Sequence, residues 1–177
     1  MAIALRLATE ADRPALTELM RRAIDALQTD FLTAEQVAAS HAIMGMDPEL
    51  IADGTYFVAE EDGAPLGCGG WSRRRTLFGG DHTAGRDSGL LDPAAEPARV
   101  RAMYTDPAAA RRGVGRLILA AAESAAAAEG FRRGELVATL SGAPLYRACG
   151  WEVIERFEAE TPGGVPVPVI RMGKALS

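Results

Sequence analysis

Between Tyr104 and Ile118 the chain gathers residue types suited to holding an anion. Tyr104, Thr105, Asp106, Pro107 and three alanines are followed by Arg111, Arg112, Gly113, Val114, Gly115, Arg116, Leu117 and Ile118. Residues 100–105 read as a strand, and the residues after them as a turn and the first turn of a helix. The first N–H groups of a helix lack intrahelical partners and sit at the positive end of its dipole. Gly113 and Gly115, without a Cβ, let a phosphate close on them. Arg111, Arg112 and Arg116 can add charge-assisted hydrogen bonds. The spacing excludes two common nucleotide sites. A Rossmann fingerprint places a third glycine where Ile118 stands. A P-loop needs Lys and then Ser or Thr after its last glycine, and the one lysine of the chain is Lys174.

Other reactive side chains carry weaker signals. Cys149 has no histidine arranged beside it in sequence, and the group Asp81, His82 and Asp87 reads as loop polarity rather than a metal site, so no metal is expected. Two cysteines, Cys68 and Cys149, make no disulfide framework and point to reduced thiols in a cytoplasmic protein. A net charge of -5 and no long basic stretch argue against nucleic acid as a partner, while a cationic amine suits an acidic surface. No stretch approaches membrane-spanning length, so no membrane partner is expected. With 177 residues and 48% hydrophobic content, one domain over 1–177 is expected.

The elements that must position the glycine loop follow from periodicity. Ile3, Leu5 and Leu7 alternate as a first strand. Asp12 is positioned to cap a helix with Pro14 in its first turn and Leu16, Leu19, Met20, Ala23, Ile24 and Leu27 on one face. Thr33 and Gln36 form a capping-box signature for a second helix, ending near Met44. Residues 55–59 and 65–71 predict a hairpin, with Gly67, Gly69 and Gly70 marking a bulge or close backbone approach. Residues 72–97 lack periodicity but hold Leu77, Phe78, Leu90 and Leu91, which predicts a folded-over loop covering part of the site. After the loop helix ends at Gly130, residues 136–139 predict a parallel return strand, placing the helix N-terminus at the carboxyl end of the first strand, where open α/β sheets bind ligands. Ser141 is expected to cap a short helix that stops at Gly150, ahead of a closing pair of strands over 151–159 and 165–172.

The loop resembles the acyl-CoA loop of the GNAT superfamily of N-acetyltransferases, with Ala110 where that pattern has Gln or Arg. The run Leu145, Tyr146, Arg147, Ala148, Cys149, Gly150, Trp151 is similar to a second family signature, and a C-terminal hairpin follows in the family's order. The resemblance covers essentially the whole chain. It implies an α/β fold with a mixed, partly splayed β-sheet and helices on both faces. It implies acetyl-CoA as co-substrate, its pantetheine arm along Met103, Tyr104 and Thr105 and its pyrophosphate on Arg111, Arg112, Gly113, Val114, Gly115 and Arg116. Ser141 is a weaker contact.

Tyr146 matches the family's general acid, which protonates the departing thiolate. The central strand carries Arg99 and Arg101 where many relatives have a Glu, leaving a water route or, as poor alternatives, Glu96, His82 or Glu60 for the base. The resemblance also implies that residues 28–32 border the acceptor cleft, that the acceptor is a small-molecule or peptide amine, and that the chain forms a homodimer. A non-catalytic acyl-CoA-binding regulatory module on the same fold is the alternative.

Overall fold

The computed structural model describes residues 2–177. Seven strands form one sheet: β1 (Ala4–Leu7), β2 (Tyr56–Glu61), β3 (Ala64–Ser72), β4 (Ala98–Thr105), β5 (Arg133–Thr139), β6 (Glu152–Ala159) and β7 (Val167–Ala175), in the order β1-β2-β3-β4-β5-β7-β6. Only β4 and β5 run parallel. Helices α1 (Arg13–Leu27), α2 (Ala34–Ser40) and α3 (Pro48–Ala52) lie on one face, and α4 (Val114–Ala128) and α5 (Ala143–Ala148) on the other. The sheet is therefore mixed and covered on both faces, as the resemblance implies.

Its splay lies between β4 and β5. The parallel ladder holds only two register pairs, Ala98 with Gly134 and Arg99 with Glu135. Beyond Arg99 the facing edges of the two strands have no ladder partners in each other, which leaves backbone donors and acceptors pointing into the split. Among the described residues no helix is long and apolar enough to cross a membrane.

Glycines in β3 set the distance between the sheet and α4. A Cβ at Gly67 would lie 2.6 Å from Val114 Cγ1, one at Gly69 would collide with Met103 Sδ, and one at Gly70 would collide with the Thr55 carbonyl. The expected close approach is present, and the β3–β4 register slips beside Gly69, with the extra residue on β4 rather than on β3. α4 presents Ile118, Ala122 and Ala126 inward, all essentially buried. Small residues on both sides thus bring the start of α4 down beside the end of β4.

Several boundaries differ from the sequence reading. Asp12 does not cap α1. A single 3₁₀ turn at Glu10–Asp12 precedes it, and Asp12 accepts the Thr9 N–H (2.7 Å) while pairing with Arg6 (2.8 Å), so Thr9 and Asp12 form the box. The Thr33 and Gln36 capping box forms, but α2 ends at Ser40, and α3 then begins behind Asp47, whose carboxylate accepts the Glu49 N–H. Ser141 does not cap α5. Gly142 occupies that position, Ser141 Oγ lies 3.1 Å from Thr139 Oγ1, and Thr139 takes the Gly142 N–H.

Candidate active site

α4 makes its first backbone bond from Leu117 N–H to the Gly113 carbonyl (3.0 Å), so the N–H groups before Leu117 have no intrahelical acceptor. Two left-handed residues, Arg111 (φ 65°) and Gly113 (φ 79°), turn the chain into the helix. A Cβ on Gly113 would meet no protein atom within 4 Å, because it would project into an open groove. One on Gly115 would press on Leu145 Cδ2 at 2.7 Å, so that glycine lets α4 and α5 pack closely without moving the Leu145 side chain.

The groove, about 600 Å³, runs from Arg111, Gly113, Val114, Gly115 and Arg116 past Met103, Tyr104, Thr105 and Ser141 to Tyr146, and on to Gln28, Asp30 and Phe31. The α1–α2 connection thus borders the groove, whereas none of residues 28–32 lines the smaller cavity beside Tyr146. Arg112 does not line the groove; its guanidinium turns outward to Glu61 (2.7 Å), which lowers the Glu61 carboxyl.

A bulge in β4 decides which side chains face this groove. Gly70 pairs with Arg101 and Cys68 with Tyr104, so Ala102 and Met103 together oppose Gly69, and Ala102 takes φ 53°. One extra residue shifts the inward-outward parity of the rest of the strand. Before the bulge Arg101 points toward the α3 side, where it meets Asp47. After it Met103 packs with α4, Thr105 lies near Gly115, and Tyr104 enters the core under α1. Tyr104 therefore offers the groove mainly its backbone, and its hydroxyl accepts the Gly45 N–H (2.9 Å). Tyr56, fully buried in β2, donates to the Ala102 carbonyl (2.6 Å) and pins the bulge. Neither the bulge nor the Tyr56 anchor was visible in sequence, since alanine is rarely chosen for a positive φ.

Tyr146 stands where the groove meets a second, smaller cavity of about 110 Å³ that opens through the splay. Its ring packs edge-on against Trp151 (centroids 6.4 Å apart). Burial, then the neighbouring Tyr104 and Cys149, raises its phenol above the ordinary range, so it holds its proton at neutral pH. Tyr56 and Tyr104 spend their hydroxyls on backbone groups. No hydrogen bond contributes to the shift of Tyr146.

The suggested bases lie elsewhere. Glu96 accepts the Asp92 N–H (3.0 Å) and an Arg75 bond (3.2 Å), which hold its carboxyl below the usual range. Glu60 pairs with Arg6 (3.2 Å). His82 Nε2 donates to the His41 carbonyl (2.8 Å). None of the three lines the groove or the cavity. Cys149 lies under Lys174, whose ammonium donates to the Cys149 carbonyl (2.8 Å). Among the described residues no three His, Cys, Asp or Glu side chains gather as metal ligands would.

A sheet split between a parallel pair, with a helix N-terminus and a buried phenol at the opening, defines an α/β protein built to receive a phosphate-bearing ligand across the split. Residues 52–153 match the Acetyltransferase (GNAT) domain, and the chain belongs to that family. No curated protein matches the chain. Solved structures share its fold. A GCN5-related N-acetyltransferase of Rhodopseudomonas palustris is 20% identical, with a TM-score of 0.73 over 99% of this chain and 97% of its own. The PaiA N-acetyltransferase of Thermoplasma acidophilum, solved in complex with coenzyme A, is 16% identical, with a TM-score of 0.65 over 99% of each chain. A phosphinothricin acetyltransferase of Sinorhizobium meliloti, solved with acetyl-CoA, is 22% identical, with a TM-score of 0.66 over 100% of this chain and 90% of its own.

Proposed function

We propose that the protein, acting as one domain, transfers an acetyl group from acetyl-CoA to a primary amine, with Tyr146 as the general acid. The observation that carries this reading is the place of Tyr146: a buried phenol, raised by burial above its ordinary range, that lines both the groove at the start of α4 and the smaller cavity beside it. A two-substrate transfer needs that arrangement, because the two reactants must enter from different sides and meet at one proton donor.

The chain's own groups fit the co-substrate. The free N–H groups at the start of α4, with Arg111 and Arg116, hold the pyrophosphate, and the open space beyond Gly113 admits it. The unpaired edge of β4 from Met103 to Thr105 offers N–H and C=O groups to the amides of the pantetheine arm, as a sheet edge does to an added strand. Ser141, beside Thr139 at the lip of α5, adds a hydroxyl. When bound, acetyl-CoA supplies an activated thioester. Tyr146 Oη donates the proton that the leaving sulfur needs, and its buried setting keeps that proton in place until then. No carboxylate lines the cavity, so water passing through the split takes the amine's proton.

Release of free thiol from acetyl-CoA with a panel of amines tests the reading. Amine-dependent release that drops sharply in Tyr146→Phe supports it. Tight acetyl-CoA binding with no release for any amine points to the regulatory module instead.

A further inference from the structure

Most of the side chains around the cavity behind Tyr146 are apolar. They come from the α2–α3 connection (Ile43), the 72–97 loop (Leu77, Phe78), the split strands β4 and β5 (Val100, Val137) and β7 (Val169), while backbone groups of the split add polar surface. Phe78 is held by Phe157 on β6, with ring centroids 6.3 Å apart. At about 110 Å³ the space lies below the 150 Å³ at which an apolar cavity takes up benzene, so it suits a branched alkyl group and is snug for a phenyl ring.

Its one charged wall residue is Arg101, almost fully buried and committed to Asp47 (3.0 Å) and to the Thr76 and Gly79 carbonyls. No carboxylate reaches the lining. A second ammonium carried into this space would find no carboxylate to pair with and would face a like charge, which is costly to bury. Polar groups collect at the mouth instead, where Thr139 and Tyr146 stand beside the β4 edge.

We propose that the acceptor is a primary amine on one compact apolar body, with its tail in this cavity and its nitrogen at the mouth beside Tyr146. The inference rests on the acetyltransferase reading. In the transfer an amide C–N bond forms, the thioester C–S bond breaks, and one proton passes, net, from nitrogen to sulfur.

The test measures kcat/KM by thiol release from acetyl-CoA for ethylamine, 3-methylbutylamine and putrescine, with calorimetry of acetyl-CoA binding and of 3-methylbutylamine binding to the CoA complex. 3-Methylbutylamine is expected to exceed ethylamine by at least about tenfold, the low end of what one methylene is worth in a hydrophobic pocket. Putrescine is expected at or below ethylamine. Val169→Phe should shrink the cavity and remove that advantage, and Phe78→Ala should enlarge it and shift preference to 2-phenylethylamine. Ethylamine or putrescine matching 3-methylbutylamine in the unsubstituted protein overturns the inference while the acetyltransferase reading stands. The inference also falls alone if acetyl-CoA binds but 3-methylbutylamine is neither turned over nor bound. Absence of acetyl-CoA binding overturns both.

Discussion

The groove at the start of α4 and the cavity behind Tyr146 meet along a shared rim that includes Met103, Thr139 and Tyr146, yet differ in what they are built from. At the start of α4 the groove is mostly backbone: N–H groups freed by a helix end, two left-handed residues, and a glycine whose missing Cβ leaves space. The cavity is lined largely by side chains from segments remote in sequence, among them residues 43–44, 77–79, 100–104, 136–139 and 167–169, with a buried ion pair behind its wall. A backbone site demands particular residues at fixed spacing and serves one ligand chemistry. A side-chain site can be relined by substitution without disturbing the sheet, so it is where specificity resides.

The largest expected effect falls where the two regions meet. Tyr146→Phe keeps the ring against Trp151 and removes only the proton donor, so kcat should fall by about 10²-fold to 10⁴-fold with acetyl-CoA affinity near that of the unsubstituted protein. A packing role would give the opposite pattern, with a lowered melting temperature and nearly normal turnover, and that result would remove Tyr146 from the chemistry.

Next in size is a change confined to the cavity side. Asp47 is buried, pairs with Arg101 and with Arg86 (both 3.0 Å), and caps α3. Asp47→Ala leaves the Arg101 guanidinium buried without its counter-charge, at a cost of about 3–5 kcal/mol in unfolding free energy. Denaturant titration reads this directly. In the folded fraction acetyl-CoA affinity should hold, because the groove does not touch Asp47. A parallel loss of acetyl-CoA affinity would show that the two regions are one.

The groove side breaks more gently. Gly113→Val puts a branched side chain in the space the phosphate needs, so acetyl-CoA affinity should fall by more than tenfold, or about 1.4 kcal/mol. The left-handed φ of 79° adds strain to the same variant, so its stability is measured alongside. Unchanged affinity in a folded Gly113→Val protein means that the phosphate binds elsewhere.

Legibility in the sequence follows the same division. The glycine loop, the strand before it and the run around Tyr146 were readable because helix starts, tight turns and close packing restrict residue type at fixed offsets. The splay and the helices on both faces came with the family resemblance. What escaped was tertiary. The Ala102 bulge has no residue signature, and it sends the Tyr104 side chain into the core under α1. α3 went unread although Asp47 and Pro48 are a cap and first-turn pair, because the helix is only five residues long. The 72–97 loop was expected to cover the acceptor site, and Leu77 and Phe78 do line the cavity. Its second task, delivering Arg86 to Asp47, depends on a partner about 40 residues away that no local pattern encodes.

The smallest predicted effect separates two adjacent arginines that the sequence treats alike. Arg111 lines the groove, whereas Arg112 is spent on Glu61 at the surface. An exposed ion pair of this kind is worth about 0–1 kcal/mol, so Arg112→Ala should alter acetyl-CoA affinity by less than twofold and leave stability nearly unchanged. Arg111→Ala removes a cation from the wall that receives the pyrophosphate, and its loss should exceed that of Arg112→Ala and fade as salt is raised. Comparing the two variants by calorimetry at low and high ionic strength sets side-chain charge against backbone donors in the groove. If Arg112→Ala weakens binding as much as Arg111→Ala does, the Glu61 pair opens when acetyl-CoA binds, and the groove takes its anion with both guanidiniums rather than chiefly with the start of α4.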